Sequence, residues 1–154
     1  MNPAETRGAL LAFYGAFARR DGAAMAAMYA GNARFEDPVF LLYGADVGKM
    51  WSALTGRAKE FSVEYQVEQA TAGRGTVAWT ARYRYGSRPV VNVIRSEIVF
   101  DGNGLIARQK DAFDFPKWAA QALGPPGALL GRFPFFRRAV SRKAAKGIGV
   151  PPKP

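Results

Sequence analysis

The chain has 154 residues, of which 49% are hydrophobic and 22% charged, the make-up of one soluble globular domain. It contains neither cysteine nor histidine, which excludes disulfides, thiolate metal sites, Ser-His-Asp and Cys-His nucleophiles and most zinc and iron centres. The net charge of +10 is unevenly placed: seven basic residues and no acid lie from Arg132 onward, leaving +3 for the rest. The excess therefore marks a basic C-terminal extension, residues 131–154, following a domain at 1–130. Met1 to Ala12 lacks the pattern of a signal peptide, and no apolar run approaches the ~18 residues of a membrane span. A soluble, cytoplasmic protein is the expectation.

Leu10, Leu11, Phe13, Tyr14 and Phe17 recur at helical spacing and predict a first helix from Pro3 to Arg20. Asp21 is placed to cap a short second helix, Ala23 to Tyr29. Ala30-Gly31-Asn32 reads as a turn and Ala33–Glu36 as a short strand. A loop through Phe40–Gly44 leads to a third helix, Ala45–Arg57, burying Val47, Met50, Trp51 and Leu54. After Lys59 the period changes to two. Phe61, Val63, Tyr65 and Val67 alternate with polar residues, and so do Val77, Trp79, Ala81, Tyr83 and Tyr85. A long strand follows from Val90 to Phe100, then the turn signal Asp101-Gly102-Asn103-Gly104, then Leu105–Phe113. Short turns between successive strands predict an antiparallel meander. Phe115–Leu123 reads as a short helix, stopped by Gly124-Pro125-Pro126-Gly127. Leu129–Lys146 reads as an amphipathic segment interrupted by Pro134, and Gly147–Pro154 as disordered.

This order of elements predicts an α+β domain in which a curved antiparallel sheet curls into a cone and the N-terminal helices cover its concave face. Tyr14, Trp51, Trp79 and Tyr83 are the bulky residues expected around the cavity, and ordinary core packing is the competing role for each. On the Val90–Phe100 strand, Asn92, Ile94, Ser96 and Ile98 share the more apolar, inward face, which offers Asn92 and Ser96 to a ligand. The chemistry centres on Ala33-Arg34-Phe35-Glu36-Asp37-Pro38-Val39-Phe40. Pro38 ends the strand and leaves Asp37 at its tip, with Phe40 beside it at the mouth of the pocket. A poorly hydrated Asp37 would have a raised pKa suited to a general base near neutral pH. The plain alternative is an Asp-Pro turn whose carboxylate is held by backbone amides.

The helix, short helix, "ARFEDPVF" segment, helix and four strands together resemble the nuclear transport factor 2-like superfamily over about residues 5–120. That superfamily includes steroid Δ-isomerases, SnoaL-like polyketide cyclases, limonene-epoxide hydrolases and scytalone dehydratases. Lys110–Gly127, "KDAFDFPKWAAQALGPPG", resembles the closing segment of a bacterial SnoaL-like branch. The resemblance implies a cone-shaped α+β roll, a likeness to the steroid isomerase branch, and a homodimer. Glu36-Asp37-Pro38-Val39 matches the isomerase segment that supplies the general base. The isomerase oxyanion-hole tyrosine falls on Phe13, next to Tyr14, and the second donor on Ser96. By likeness to the epoxide hydrolases, Asp111 is a second catalytic carboxylate and Arg82 the nearest arginine. Their other aspartate falls at Arg84, so that triad is incomplete, and Arg82 has the outward parity of its strand.

The leading expectation is a protein that binds a small apolar molecule and acts by carboxylate acid–base chemistry, as an isomerase, cyclase, dehydratase or epoxide hydrolase. It would use no metal and no organic cofactor. A non-catalytic dimerisation or ligand-binding module is the alternative. A basic tail working on a membrane or nucleic acid is the least favoured, because a solvated, partly packed C-terminal helix accounts for the same charges.

Overall fold

The computed structural model describes residues Met1–Pro154. Helix α1, Pro3–Ala18, begins in a capping box: Asn2 accepts from Glu5 N, and the Glu5 side chain accepts from Asn2 N. Helix α2, Gly22–Ala27, is capped by Asp21. Strands β1 (Tyr29–Glu36) and β2 (Leu41–Tyr43) precede helix α3, Ala45–Arg57. The long strands β3 (Lys59–Thr71), β4 (Arg74–Tyr85) and β5 (Arg88–Phe100) and the shorter β6 (Ile106–Ala112) follow. Helices α4 (Phe115–Leu123), α5 (Pro125–Leu130) and α6 (Pro134–Ile148) complete the chain.

All six strands form one curled, unclosed sheet in the order β2-β1-β6-β5-β4-β3. The predicted meander is present from β3 to β6, every neighbouring pair antiparallel. β1, however, pairs with β6 in parallel, because α3 carries the chain away from β1 to the opposite edge of the sheet. β1 also starts earlier than expected. α2 stops at Ala27, Ile106 N donates to Met28 O, and Tyr29 already pairs with Ile106 before a shift of register reaches Arg34. Further shifts at Lys59/Ser62 and Val67/Gln69 bend β3, as bulges do.

The period-two reading holds through the sheet. Asn92, Ile94, Ser96 and Ile98 are buried, while Val91, Val93, Arg95 and Glu97 between them are exposed. α1 packs on β3 and β4, α3 on β1 and β2, and α4 on β5. At the deep end of the curl the rings of Phe17 and Trp51 lie 5.0 Å apart and those of Phe17 and Trp79 5.3 Å apart. Leu10 of α1 packs closely on Gly75 of β4, where a Cβ would stand 2.3 Å from Leu10 Cδ1.

The C-terminus departs most from expectation. Phe136, Val140, Ala144, Ala145 and Ile148 turn one face of α6 inward. Gly149 adopts φ +74°, and the Val150 amide donates back to Ala145 O, a left-handed helix stop that favours glycine. Residues 147–154 are thus not disordered: Val150 is buried, and Lys153 Nζ donates to the Asp37 carbonyl at 2.7 Å. Deleting 149–154 should lower stability by about 1–3 kcal/mol through loss of the buried valine and its neighbouring bonds. An unchanged urea midpoint in the truncated chain would mean that the tail does not pack in solution.

Candidate functional site

Asp111 lies on β6 directly opposite Ser96 of β5, both side chains pointing inward. Its Oδ1 accepts from Ser96 Oγ at 2.5 Å and from Gln109 Nε2 at 3.0 Å. Ser96 Oγ in turn accepts from Tyr14 OH (2.7 Å) and Trp79 Nε1 (2.8 Å). Gln109 Oε1 accepts from Tyr29 OH at 2.6 Å, and Tyr29 OH accepts from Trp51 Nε1 at 2.8 Å. One unbroken polar line therefore crosses an otherwise aromatic core. Burial raises the Asp111 pKa to about 7 against the opposing effect of its Ser96 and Gln109 hydrogen bonds, and the charge of Asp37 adds to the rise.

Asp37 sits at the tip of β1. Its Oδ1 accepts from Val39 N at 2.7 Å and Phe40 N at 2.6 Å, and its own amide donates to Phe40 O. The turn expected of Asp-Pro is therefore present, and it engages one oxygen only. Loss of hydration raises the Asp37 pKa to about 6, with the Phe40 and Val39 amides restraining the shift. Tyr83, on β4, has its pKa raised by burial, and the charge of Asp37 contributes. Its hydroxyl accepts from Trp118 Nε1 of α4 at 2.8 Å and donates to no group in the chain.

Thr76 Oγ1 is the one enclosed side-chain polar atom without a partner. Asp37 Oδ2, Asp111 Oδ2 and the Asn92 amide, which also have no hydrogen bond within the chain, therefore border space open to water. Asn92 is only 8% exposed and lies two residues from Ile94 and four from Ser96 on the same inward face. Asp37 lies near enough for its charge to act on both Asp111 and Tyr83, and Asn92 shares the inward face of β5 with Ser96, the partner of Asp111. Phe40 is buried beside the turn that positions Asp37.

Other sequence candidates lie elsewhere. Trp51 is in the deep core against Phe13, Phe17 and Phe35. Tyr14 and Trp79 direct their polar ends at Ser96, the position aligned with the second oxyanion-hole donor, while Phe13, aligned with the tyrosine, has no hydroxyl to offer. Arg82 is exposed, as its parity implied, and no Asp-Arg-Asp group forms. Gln109, Tyr29 and Trp118 escaped the sequence reading. For Gln109 a signal existed, since it shares the two-residue spacing of Asp111.

Residues 10–109 match the family model of the SnoaL-like domain, and the chain belongs to that family. No curated protein matches it. Among solved structures it is similar to a putative polyketide cyclase from Silicibacter sp.. That likeness has 14% identity and a TM-score of 0.68, over 79% of this chain and 97% of that one. It is also similar to a hypothetical protein with a ketosteroid isomerase-like fold from Catenulispora acidiphila, solved in complex with trimethylamine. Identity there is 13% and the TM-score 0.66, over 78% of this chain and 95% of that one. These likenesses establish the fold, the nuclear transport factor 2-like roll that the order of elements implied.

Both carboxyl groups hold a proton more tightly in the folded chain than an unfolded aspartate does at about 3.9. Their contribution to stability is full below about pH 4 and is lost as pH climbs through 6 and 7. The protein should be more stable at pH 5 than at pH 8 by about 4 kcal/mol, roughly two thirds of it from Asp111, so Asp111→Asn should remove most of that slope. Urea unfolding at both pH values checks this. A slope equally steep in the variant would exclude Asp111 as its source.

Proposed function

We propose that this SnoaL-like protein is an acid–base enzyme for a small, largely apolar carbonyl compound, with Asp37 as base and Asp111 as acid. The observation that carries the reading is that two buried carboxyl groups, close enough for the charge of one to act on the other, each keep one oxygen without a hydrogen bond in the chain, with pKa values of about 6 and about 7. Near neutral pH the first is mostly ionised and the second about half protonated. Paired carboxyls whose surroundings separate their proton affinities are suited to divided acid and base roles.

In the proposed cycle Asp37 Oδ2 takes a proton from the carbon next to the carbonyl. The electron pair moves onto the carbonyl oxygen, and the resulting enolate accepts hydrogen bonds from protonated Asp111 and from the free Tyr83 hydroxyl. Such placed donors are worth about 3 kcal/mol each to a transition state. Asn92 orients the polar end of the ligand. Asp37 then returns its proton to another carbon, giving isomerisation, or the enolate attacks a second carbonyl in the same molecule, giving cyclisation. Every proton in the cycle is carried by Asp37 or Asp111. The cyclase-like neighbour supports the same range of chemistry, and dehydration would use the same pair.

The filled deep end of the cone favours one other reading, a binding module that holds its ligand without turnover. Homodimerisation is part of the proposal, with the exposed Val91 and Val93 on the outer sheet face as contact, and so is a cytoplasmic site of action.

Deuterium uptake into a panel of small enolisable ketones and β-diketones, followed by NMR, tests the catalytic proposal. Exchange should show a narrow optimum between about pH 6 and 7, because it needs Asp37 ionised and Asp111 protonated. Asp37→Asn should slow it at least ~100-fold, and Tyr83→Phe about tenfold or more, with urea midpoints little changed. Exchange in Asp37→Asn as fast as in the parent overturns the assignment of the base. Tight ligand binding without exchange supports the module instead.

A further inference from the structure

We propose that the corner between α5 and α6, with the outer face of α6, docks on an anionic phospholipid bilayer. No acidic residue follows Asp114. Arg132, Arg138, Arg142, Lys143 and Lys146 are exposed, and none makes an ion pair or side-chain hydrogen bond within the chain. The remaining two cations of the extension are engaged: Arg137 lies 5.1 Å over the Phe115 ring, and Lys153 is bound at Asp37 and Glu36. Arg138, Arg142, Lys143 and Lys146 are held outward because Phe136, Val140, Ala144 and Ile148 fix the opposite face of α6 against the core, and Arg132 stands just before that helix.

Beside these charges stand the chain's most unusual apolar side chains. Leu129 is 68% exposed, Phe135 57% and Phe133 42%. The two phenylalanine rings stack 5.7 Å apart, and the Arg132 guanidinium lies 5.8 Å over Phe133. They sit on a fixed corner. A Cβ at Gly127 would fall 2.0 Å from Ala119 O, and one at Gly131 would fall 2.6 Å from Gly127 O, so backbone packs on backbone there. By sequence, Phe133, Phe135 and Phe136 precede the cations of an amphipathic segment without showing which of the three rings is buried. The structure turns only Phe136 inward.

Charge selects the occupant. Five exposed cations with no acid among them stand in the same stretch of chain as the three exposed apolar side chains, which calls for a partner both anionic and apolar. A nucleic acid would use the cations but has no site for Leu129. A fluid anionic interface takes both, the charges at headgroup level and the leucine and rings among the acyl chains. The same helix donates from Ser141 Oγ to Val39 O, which places the docking face on the element that backs the Asp37 turn. An apolar ligand dissolved in the bilayer would be concentrated there.

Co-sedimentation of the intact chain with unilamellar vesicles tests this. Vesicles with about 30% phosphatidylglycerol in phosphatidylcholine should bind it at least tenfold more tightly than phosphatidylcholine alone, and binding should weaken as salt rises. Leu129→Asp/Phe135→Asp should weaken binding about tenfold or more, and Arg138→Glu/Arg142→Glu comparably. Leu129→Gln, at the most exposed of the three apolar positions, should weaken it by a smaller step. Circular dichroism and urea midpoints confirm that each variant folds. No association with anionic vesicles at low salt overturns the proposal. So does undiminished binding by both the double aspartate variant and Leu129→Gln, which would make the contact purely ionic. Duplex DNA displacing the protein from vesicles at equal phosphate concentration would overturn it in favour of a nucleic-acid surface.

Discussion

A carboxyl group placed among aromatic rings must be neutral, or answered by donors, or both. Asp111 meets that constraint with Ser96 and Gln109, and the answer spreads outward until it joins most of the fold. Ser96 accepts from α1 through Tyr14 and from β4 through Trp79; Gln109 reaches β1 through Tyr29 and, beyond it, α3 through Trp51. The line specifies which helix face meets which strand, a selectivity that hydrophobic burial alone does not supply. It also leaves one oxygen of Asp111 without a partner. The group that organises the core is for that reason chemically unfinished.

Asp37 solves a different problem with the same side chain. An Asp-Pro step at the end of a strand calls for a turn, and its Oδ1 makes one with the amides of Val39 and Phe40. Turn former and proton acceptor had been set against each other as alternatives. The geometry makes them compatible, because each role takes one oxygen. The amide donors restrain the rise in pKa, so Asp37 stays below Asp111 in proton affinity. Two aspartates buried near one another are thereby kept distinct in charge state by their local hydrogen bonds.

Much of this was legible before any coordinates. Alternation in Phe61–Val67, Val77–Tyr85 and Val90–Phe100 depends on local chain geometry, and the inward set of Asn92, Ser96 and Ile98 followed from it. The pairing of Tyr29 with Gln109 did not, because it rests on a parallel contact between segments about 80 residues apart with an irregular register. Trp118 donating to Tyr83 likewise joins a helix and a strand 35 residues apart. The tail misled for another reason. Gly147–Pro154 has the composition of a disordered end, yet a single left-handed glycine reverses the chain and sets Val150 into the core. Composition averages over residues, and here one backbone angle outweighed the average.

That reversal has a practical side. Lys153 is fastened to the carbonyl of Asp37, so any group attached to the chain just past it begins within arm's length of the Asp37 turn. A polyhistidine purification handle added there would bring imidazoles, absent from these 154 residues, close to the proposed acid–base pair. A handle on the amino end, where Asn2 and Glu5 close the first helix, stands far along the chain from the Asp37 turn.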